Sequence, residues 1–229
     1  MTKTIAVIAA HPDDEVLGCG GTLARLAINH NIVILFISEG ETARDRFYSD
    51  VNIDRLAARN AASEKACKIL GCSSVTALNF PDNRLDSFDR LDIIKHIEEF
   101  IAQHSPSMVF THHAGDVNID HRIVHDAVIA ACRPQPGCPV KELLFFEVPS
   151  STEWRPSCSD QMFAPDVFYD ITGTLPTKLD ALQAYEKELR PFPHPRSLKA
   201  VEALATWRGA TVGVEAAEAF MIGRIVYKL

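Results

Sequence analysis

Thr4-Ile5-Ala6-Val7-Ile8-Ala9-Ala10-His11-Pro12-Asp13-Asp14-Glu15 runs without charge through Ala10 and then breaks into a histidine, a proline and three carboxylates. An apolar run of that length, rich in β-branched residues, reads as a strand buried on both faces. Similar strand candidates follow at Asn31–Ser38, Ser74–Asn79, Met108–His112 and Glu142–Val148. Between them, stretches with helical spacing fall at about Gly20–Asn29, Ile53–Leu70, Asp89–Gln103 and Asp120–Cys132. Leu91, Ile94, Ile97 and Ile101 share one helix face, and Gly71 supplies a helix stop after Leu70. Continuous apolar strands alternating with helices predict an α/β fold, a mostly parallel sheet with helices on both faces. Beyond residue 150 the pattern loosens, with a strand at Val167–Ile171, helices near Pro176–Tyr185 and Ser197–Arg208, and a last strand near Phe220–Tyr227. Neither an internal repeat nor a linker is visible. One domain over residues 1–229 is expected: an α/β core at 1–150 and a C-terminal elaboration at 151–229 that forms part of the substrate pocket.

The 229 residues are 47% hydrophobic and 23% charged, proportions that exclude a disordered or collagen-like chain. Thirty acidic against 23 basic residues give a net charge of −7, the wrong sign for a protein that wraps a nucleic-acid backbone. The longest apolar runs fall far short of the roughly 20 residues of a membrane span, and Met1-Thr2-Lys3-Thr4 does not read as a signal peptide. Six scattered cysteines without a C-x-x-C pair read as free thiols, so a reducing cytoplasm is the expected setting.

In open α/β sheets ligands bind beyond the carboxyl ends of the strands. Three adjacent carboxylates at the end of a buried strand repel one another unless a cation offsets them. His11 and Asp14, on a turn stiffened by Pro12, can offer one imidazole nitrogen and one carboxylate oxygen to such an ion. The plainer alternative is a helix N-terminus favoured by Asp13 and Asp14. A third ligand is sought after the fourth strand, where His112, His113, His121 and His125 occur. His121 is favoured, with Asp120 either capping the next helix or holding a neighbouring imidazole in one tautomer. His112 and His125 read as satisfied structural histidines.

Ala10-His11-Pro12-Asp13-Asp14-Glu15, joined to Asp120-His121, resembles the PIG-L/LmbE-like family of zinc-dependent N-deacetylases that act on N-acylated sugars. Phe80-Pro81-Asp82-Asn83, His194-Pro195-Arg196 and Arg208-Gly209 support the resemblance, which covers most of the chain. It implies a Rossmann-like fold, one zinc per chain held by His11, Asp14 and His121, Asp13 as general base, and a homo-oligomer. Many relatives carry His-Pro-Asp-His where this chain has Asn118-Ile119-Asp120-His121, and Asn118 cannot titrate. The proton-donating duty then falls to His194, His112 or His113, or to hydrogen bonding alone; His194 is taken as the catalytic candidate.

The expected function is removal of an acetyl or other acyl group from the amide nitrogen of a small-molecule N-acyl amino sugar, such as an N-acetylglucosamine derivative, or its conjugate. Guanidinium forks suit hydroxyls, carboxylates and phosphates, and Arg44, Arg59, Arg84, Arg122, Arg196 and Arg208 offer them. Arg59 resembles an arginine that family members place near the sugar, and Arg59 and Arg196, the latter in a segment that supports the resemblance, are the two expected to bind substrate. Asn83, Asn118 and Glu147 are further lining candidates, and Trp154 can stack on a sugar or simply pack. The alternatives are a metal-dependent hydrolase of another amide and a phosphate- or nucleotide-binding α/β module. Gly18-Cys19-Gly20-Gly21 suggests the latter, but Leu23 stands where G-x-G-x-x-G needs its last glycine. A receiver-like phosphoacceptor would need Asp and Lys at strand ends occupied by Asn79 and Glu147-Val148.

Overall fold

The computed structural model describes residues 2–44, 52–156 and 162–227, Arg44 by its backbone alone. The Arg44 side chain and Cys158 lie outside the described residues. The strands are β1 (Thr4–Ala9), β2 (Asn31–Ser38), β3 (Ser74–Phe80), β4 (Met108–His112), β5 (Glu142–Phe146), β6 (Val167–Asp170) and β7 (Ala217–Ile225). The helices are α1 (Asp14–Leu26), α2 (Ile53–Leu70), α3 (Arg90–His104), α4 (Ile119–Ala131), α5 (Leu175–Gln183) and α6 (Leu198–Ala210).

These strands form one sheet in the order β3-β2-β1-β4-β5-β7-β6. Pairing is parallel from β3 across to β5, and β7 runs against its neighbours β5 and β6. Side chains alternate across a strand, so β1 feeds two cores. Ile5, Val7 and Ala9 pack with residues of α1, α2, α5 and α6, while Ala6 and Ile8 pack with α3 and α4. The mostly parallel α/β architecture expected from the sequence is therefore present. Strands β2 and β3 lie to one side of β1 and β4 and β5 to the other. The order reverses between β1 and β4, and a crevice opens past their carboxyl ends. Among the described residues no helix is long and apolar enough to cross a membrane.

Several boundaries differ from the sequence expectation. Helix α1 starts at Asp14, not near Gly20, and is kinked at Cys19. The glycines lie inside the helix because it presses on its neighbours: a Cβ on Gly18 would collide with the Phe146 ring, and one on Gly21 would come 2.8 Å from Ile171 Cδ1. They serve packing, which removes the ground for a phosphate-cradling loop. Strand β7 begins at Ala217, three positions earlier than expected, where pairing with Asp170 becomes available. Side-chain caps open α2 and α4. Asn52 accepts from Asp54 N at 3.0 Å to open α2, and Gly71, at φ +76°, closes it. Asn118 accepts from Asp120 N at 2.8 Å to open α4.

Candidate metal centre and active site

After β1 the chain turns within three residues. Asp14 N donates to His11 O at 3.2 Å, His11 N donates to Asp14 Oδ2 at 2.8 Å, and Asp13 is held at φ +115°, the left-handed region that costs a non-glycine residue free energy. That turn aims His11 and Asp14 at the N-terminal end of α4, where His121 projects. His11, Asp14 and His121 are all buried. Their donor atoms form a nearly equilateral triangle: His11 Nδ1 to His121 Nε2 3.3 Å, His11 Nδ1 to Asp14 Oδ2 3.3 Å, and His121 Nε2 to Asp14 Oδ2 3.4 Å. A tetrahedral ion with donor distances near 2.0–2.1 Å has an edge of roughly 3.3 Å. Asp14 Oδ1 is buried without a partner. Spacing, donor chemistry and the orphaned oxygen thus fit a divalent cation, and the two-nitrogen, one-carboxylate set leaves a further coordination position open.

Both imidazoles are oriented from behind. His11 Nε2 lies 3.1 Å from Asp120 Oδ2 and 3.1 Å from Asp82 Oδ1, which leaves Nδ1 facing the triangle. Asp120 is fixed in turn by Asn83 N at 2.8 Å and Leu85 N at 3.1 Å. Although adjacent to His121, Asp120 thus serves His11. The partner of His121 Nδ1 is Asp116 Oδ2 at 3.1 Å, itself held by Thr152 Oγ1 at 2.9 Å and by Ser151. Burial opposes charge on both histidines. The carboxylates outweigh it: His11 is held well above its ordinary range, and Asp14 and Asp116 carry His121 up to about 9. Protons and a metal therefore compete for the same nitrogens.

Asp13 stands apart from the triangle. Its oxygens face two guanidiniums, Arg196 Nη1 at 3.1 Å from Oδ2 and Arg59 Nη2 at 3.5 Å from Oδ1. Burial nevertheless pushes its carboxyl up to about 6. Asp13, His11, Arg59, Asn83, Asn118 and Arg196 line one cleft of about 180 Å³, together with Gly40, Ala43, Asp82 and Glu188.

The structure does not bring Glu147 or His194 to that cleft lining. Glu147 is engaged in a two-pronged pair with Arg208, at 2.8 Å on each oxygen. His194 Nδ1 accepts from Arg196 N at 3.1 Å, and the ring meets Trp154 edge-on. Arg59 is buried, paired to Glu188 at 2.7 Å and bonded to Pro12 O, so its guanidinium faces the chain's own groups. Arg122 donates to Asp116 O and Val117 O. His112 Nε2 accepts from Ala10 N at 2.8 Å, tying β4 to β1, and His125 Nδ1 meets His112 O at 2.8 Å. Sequence reasoning gave no role to Asp82, although it lies in a segment that carried the resemblance, nor to Asp116 or Glu188. For Asp82 a signal existed, since it lies just past the carboxyl end of β3; for Glu188, on a distant turn, there was none.

The profile of the PIG-L family, described as GlcNAc-PI de-N-acetylase, matches residues 6–132, the span that carries every atom of the donor triangle. The chain belongs to the PIG-L family. A relative named uncharacterized deacetylase YaiS, from Escherichia coli K12, is 35% identical over 80% of this chain and 91% of its own. A Bacillus cereus relative, a probable N-acetyl-alpha-D-glucosaminyl L-malate deacetylase 2, is 26% identical over 82% of this chain and 84% of its own. Among solved structures, N,N'-diacetylchitobiose deacetylase from Pyrococcus horikoshii superposes with a TM-score of 0.77, covering 96% of this chain and 83% of that one. At 20% identity that likeness speaks to the fold of the family alone.

Proposed function

We propose that this protein is a zinc-dependent hydrolase that removes the acetyl group from the nitrogen of an N-acetylated amino sugar or sugar conjugate. The observation that carries the reading is Asp13: a buried carboxylate outside the donor triangle, next in sequence to one of its members, lining the cleft that His11 also lines, with its proton affinity shifted toward neutrality. The deacetylase names of family members support the substrate class. His11, Asp14 and His121 would hold the zinc, which supplies Lewis-acid polarisation of the amide carbonyl and makes water easier to deprotonate.

The chain's own groups supply the proton movement. Asp13 accepts the proton of the attacking water, and the same carboxyl, with an affinity near pH 6, returns it to the leaving nitrogen. No second titrating group is needed for that return, which accommodates Asn118 in place of a histidine and the position of His194 away from the cleft lining. Arg59 and Arg196 hold the carboxylate in place. Asn83 and Asn118 at the cleft wall can bond sugar hydroxyls. Arg196 comes from beyond residue 150, which supports a single domain whose C-terminal third completes the site.

The test is acetate release from a panel of N-acetyl sugars, free, nucleotide-linked and lipid-linked. At least one should be deacetylated, activity should vanish with a strong chelator and return with zinc, and the purified protein should carry about one zinc per chain. Acetate release undiminished after complete metal removal overturns the proposal.

A further inference from the structure

Asp13 is gripped from the far end of the chain by two separate routes, both starting on the turn that follows α5. On the first, Tyr185 Oη donates to Glu15 Oε1 at 2.7 Å, and Glu15 Oε2 accepts from the backbone N–H of Asp13 at 2.9 Å. On the second, Glu188 Oε1 lies 2.7 Å from Arg59 Nη1 and Glu188 Oε2 lies 3.7 Å from Arg196 Nη1. Those are the guanidiniums that hold the Asp13 carboxylate. Glu188 N donates to Tyr185 O at 2.8 Å, so the two routes share one rigid turn. Tyr185, Glu188, Arg59 and Asp13 are all buried.

Two cations facing one carboxylate in a buried site repel each other and leave uncompensated charge, an arrangement that is strongly unfavourable. Glu188 sets a further carboxylate against both guanidiniums, beside Glu41 at 4.0 Å from Arg59 alone, and bridges the two arginines. The backbone of Asp13, at φ +115°, lies in the left-handed region that disfavours a non-glycine residue and relaxes unless other bonds hold it. The Glu15 and Tyr185 route supplies one.

We propose that the Tyr185–Glu188 turn is the element that positions Asp13 for the reaction, with Glu188 as the positioning residue acting through Arg59 and Arg196. The inference rests on the hydrolase reading above. Its test uses the full-length, metal-loaded protein and compares Glu188→Gln, Glu188→Asp and, as a control on the same turn, the exposed Glu186→Gln. Glu188→Gln is expected to lower kcat by roughly 10- to 100-fold, the scale of a misplaced catalytic group, with KM within about twofold of wild type and metal content unchanged. Glu188→Asp keeps the charge on a shorter arm and should give an intermediate kcat; Glu186→Gln should behave as wild type. Wild-type kcat in a folded Glu188→Gln overturns the inference, as does a raised KM with kcat intact, which would make Glu188 a substrate contact. If the Gln variant does not fold, the Asp variant decides by the same comparison of kcat with KM. A wild-type protein that releases no acetate from any substrate brings down the hydrolase reading and this inference with it; active wild type with equally active variants brings down the inference alone.

Discussion

Replacing Asp13 by Asn removes one negative charge at almost constant volume, and the surroundings define what should follow. In the base role proposed for it, Asp13 would contribute a factor of about 10² to 10⁴, or roughly 3–5 kcal/mol of barrier. Its oxygens face Arg59 and Arg196 rather than the donor triangle, so zinc content should stay at the wild-type level. Neither arginine is stranded, because Glu188 remains 2.7 Å from Arg59 and 3.7 Å from Arg196. The stability cost is then about 1–3 kcal/mol, as for a weakened charged hydrogen bond, and Tm falls by about 2–4 °C per kcal/mol in a chain of this size. The pH dependence has a definite sign. A base must be ionised to act, so in the proposed role kcat/KM of the wild type should fall on the acid side, with the limb at or below pH 6 because a cation bound in the triangle would favour the carboxylate. The Asn variant should lack that limb. Acetate release measured from pH 4.5 to 8, metal per chain and calorimetric Tm are the three readings. A variant that keeps more than about a tenth of wild-type kcat removes Asp13 from the base role. One that loses zinc as His121→Ala is expected to do would place Asp13 among the ligands instead.

Two further outcomes concern stability. Burial raises the Glu15 carboxyl to about 8, against the hydrogen bond from Tyr185. A carboxyl raised on folding stabilises fully below its unfolded value, and that contribution is lost as pH rises through about 8. In the metal-free protein, Glu15→Gln should therefore gain urea resistance relative to wild type between pH 5 and pH 9; an identical pH slope in both proteins would contradict the shift. Gly209→Ala should destabilise by about 1–3 kcal/mol or more, because a Cβ there meets Ala216 Cα, Ala216 N and Val214 O at 2.7 Å, all backbone atoms that cannot swing aside. Gly173→Ala, with nothing within 4 Å of the new carbon, should leave Tm unchanged. Equal Tm values for the two variants would show that the approach of α6 to the chain entering β7 is looser than described.

The β1–α4 core was legible in the residues because its signals are local. Apolar runs mark β1, β2 and β4, whose burial is nearly complete, Gly71 marks a helix end by its left-handed cap, and the charged turn after β1 announces a cation by repulsion alone. The start of α1 was misplaced because Gly18, Gly20 and Gly21 lower helix propensity, while the tight approach of Phe146 and Ile171 that requires small residues there is invisible in sequence. The same limit applies at the site. His11 and Asp14, three apart on one turn, could be paired from sequence. That Asp120 serves His11 while Asp116 serves His121 could not be, since either carboxylate is close enough along the chain and only the packed backbone decides. The resemblance suggested substrate contacts for Arg59 and Arg196; both line the cleft, and that their guanidiniums also meet Asp13 and Glu188 is visible only in the fold. Sequence by itself therefore determined the sheet, the family and the donor types, which depend on local pattern. Tertiary structure decided which charges meet, because pairings across more than a hundred residues depend on the relative placement of elements, which no short stretch of sequence encodes.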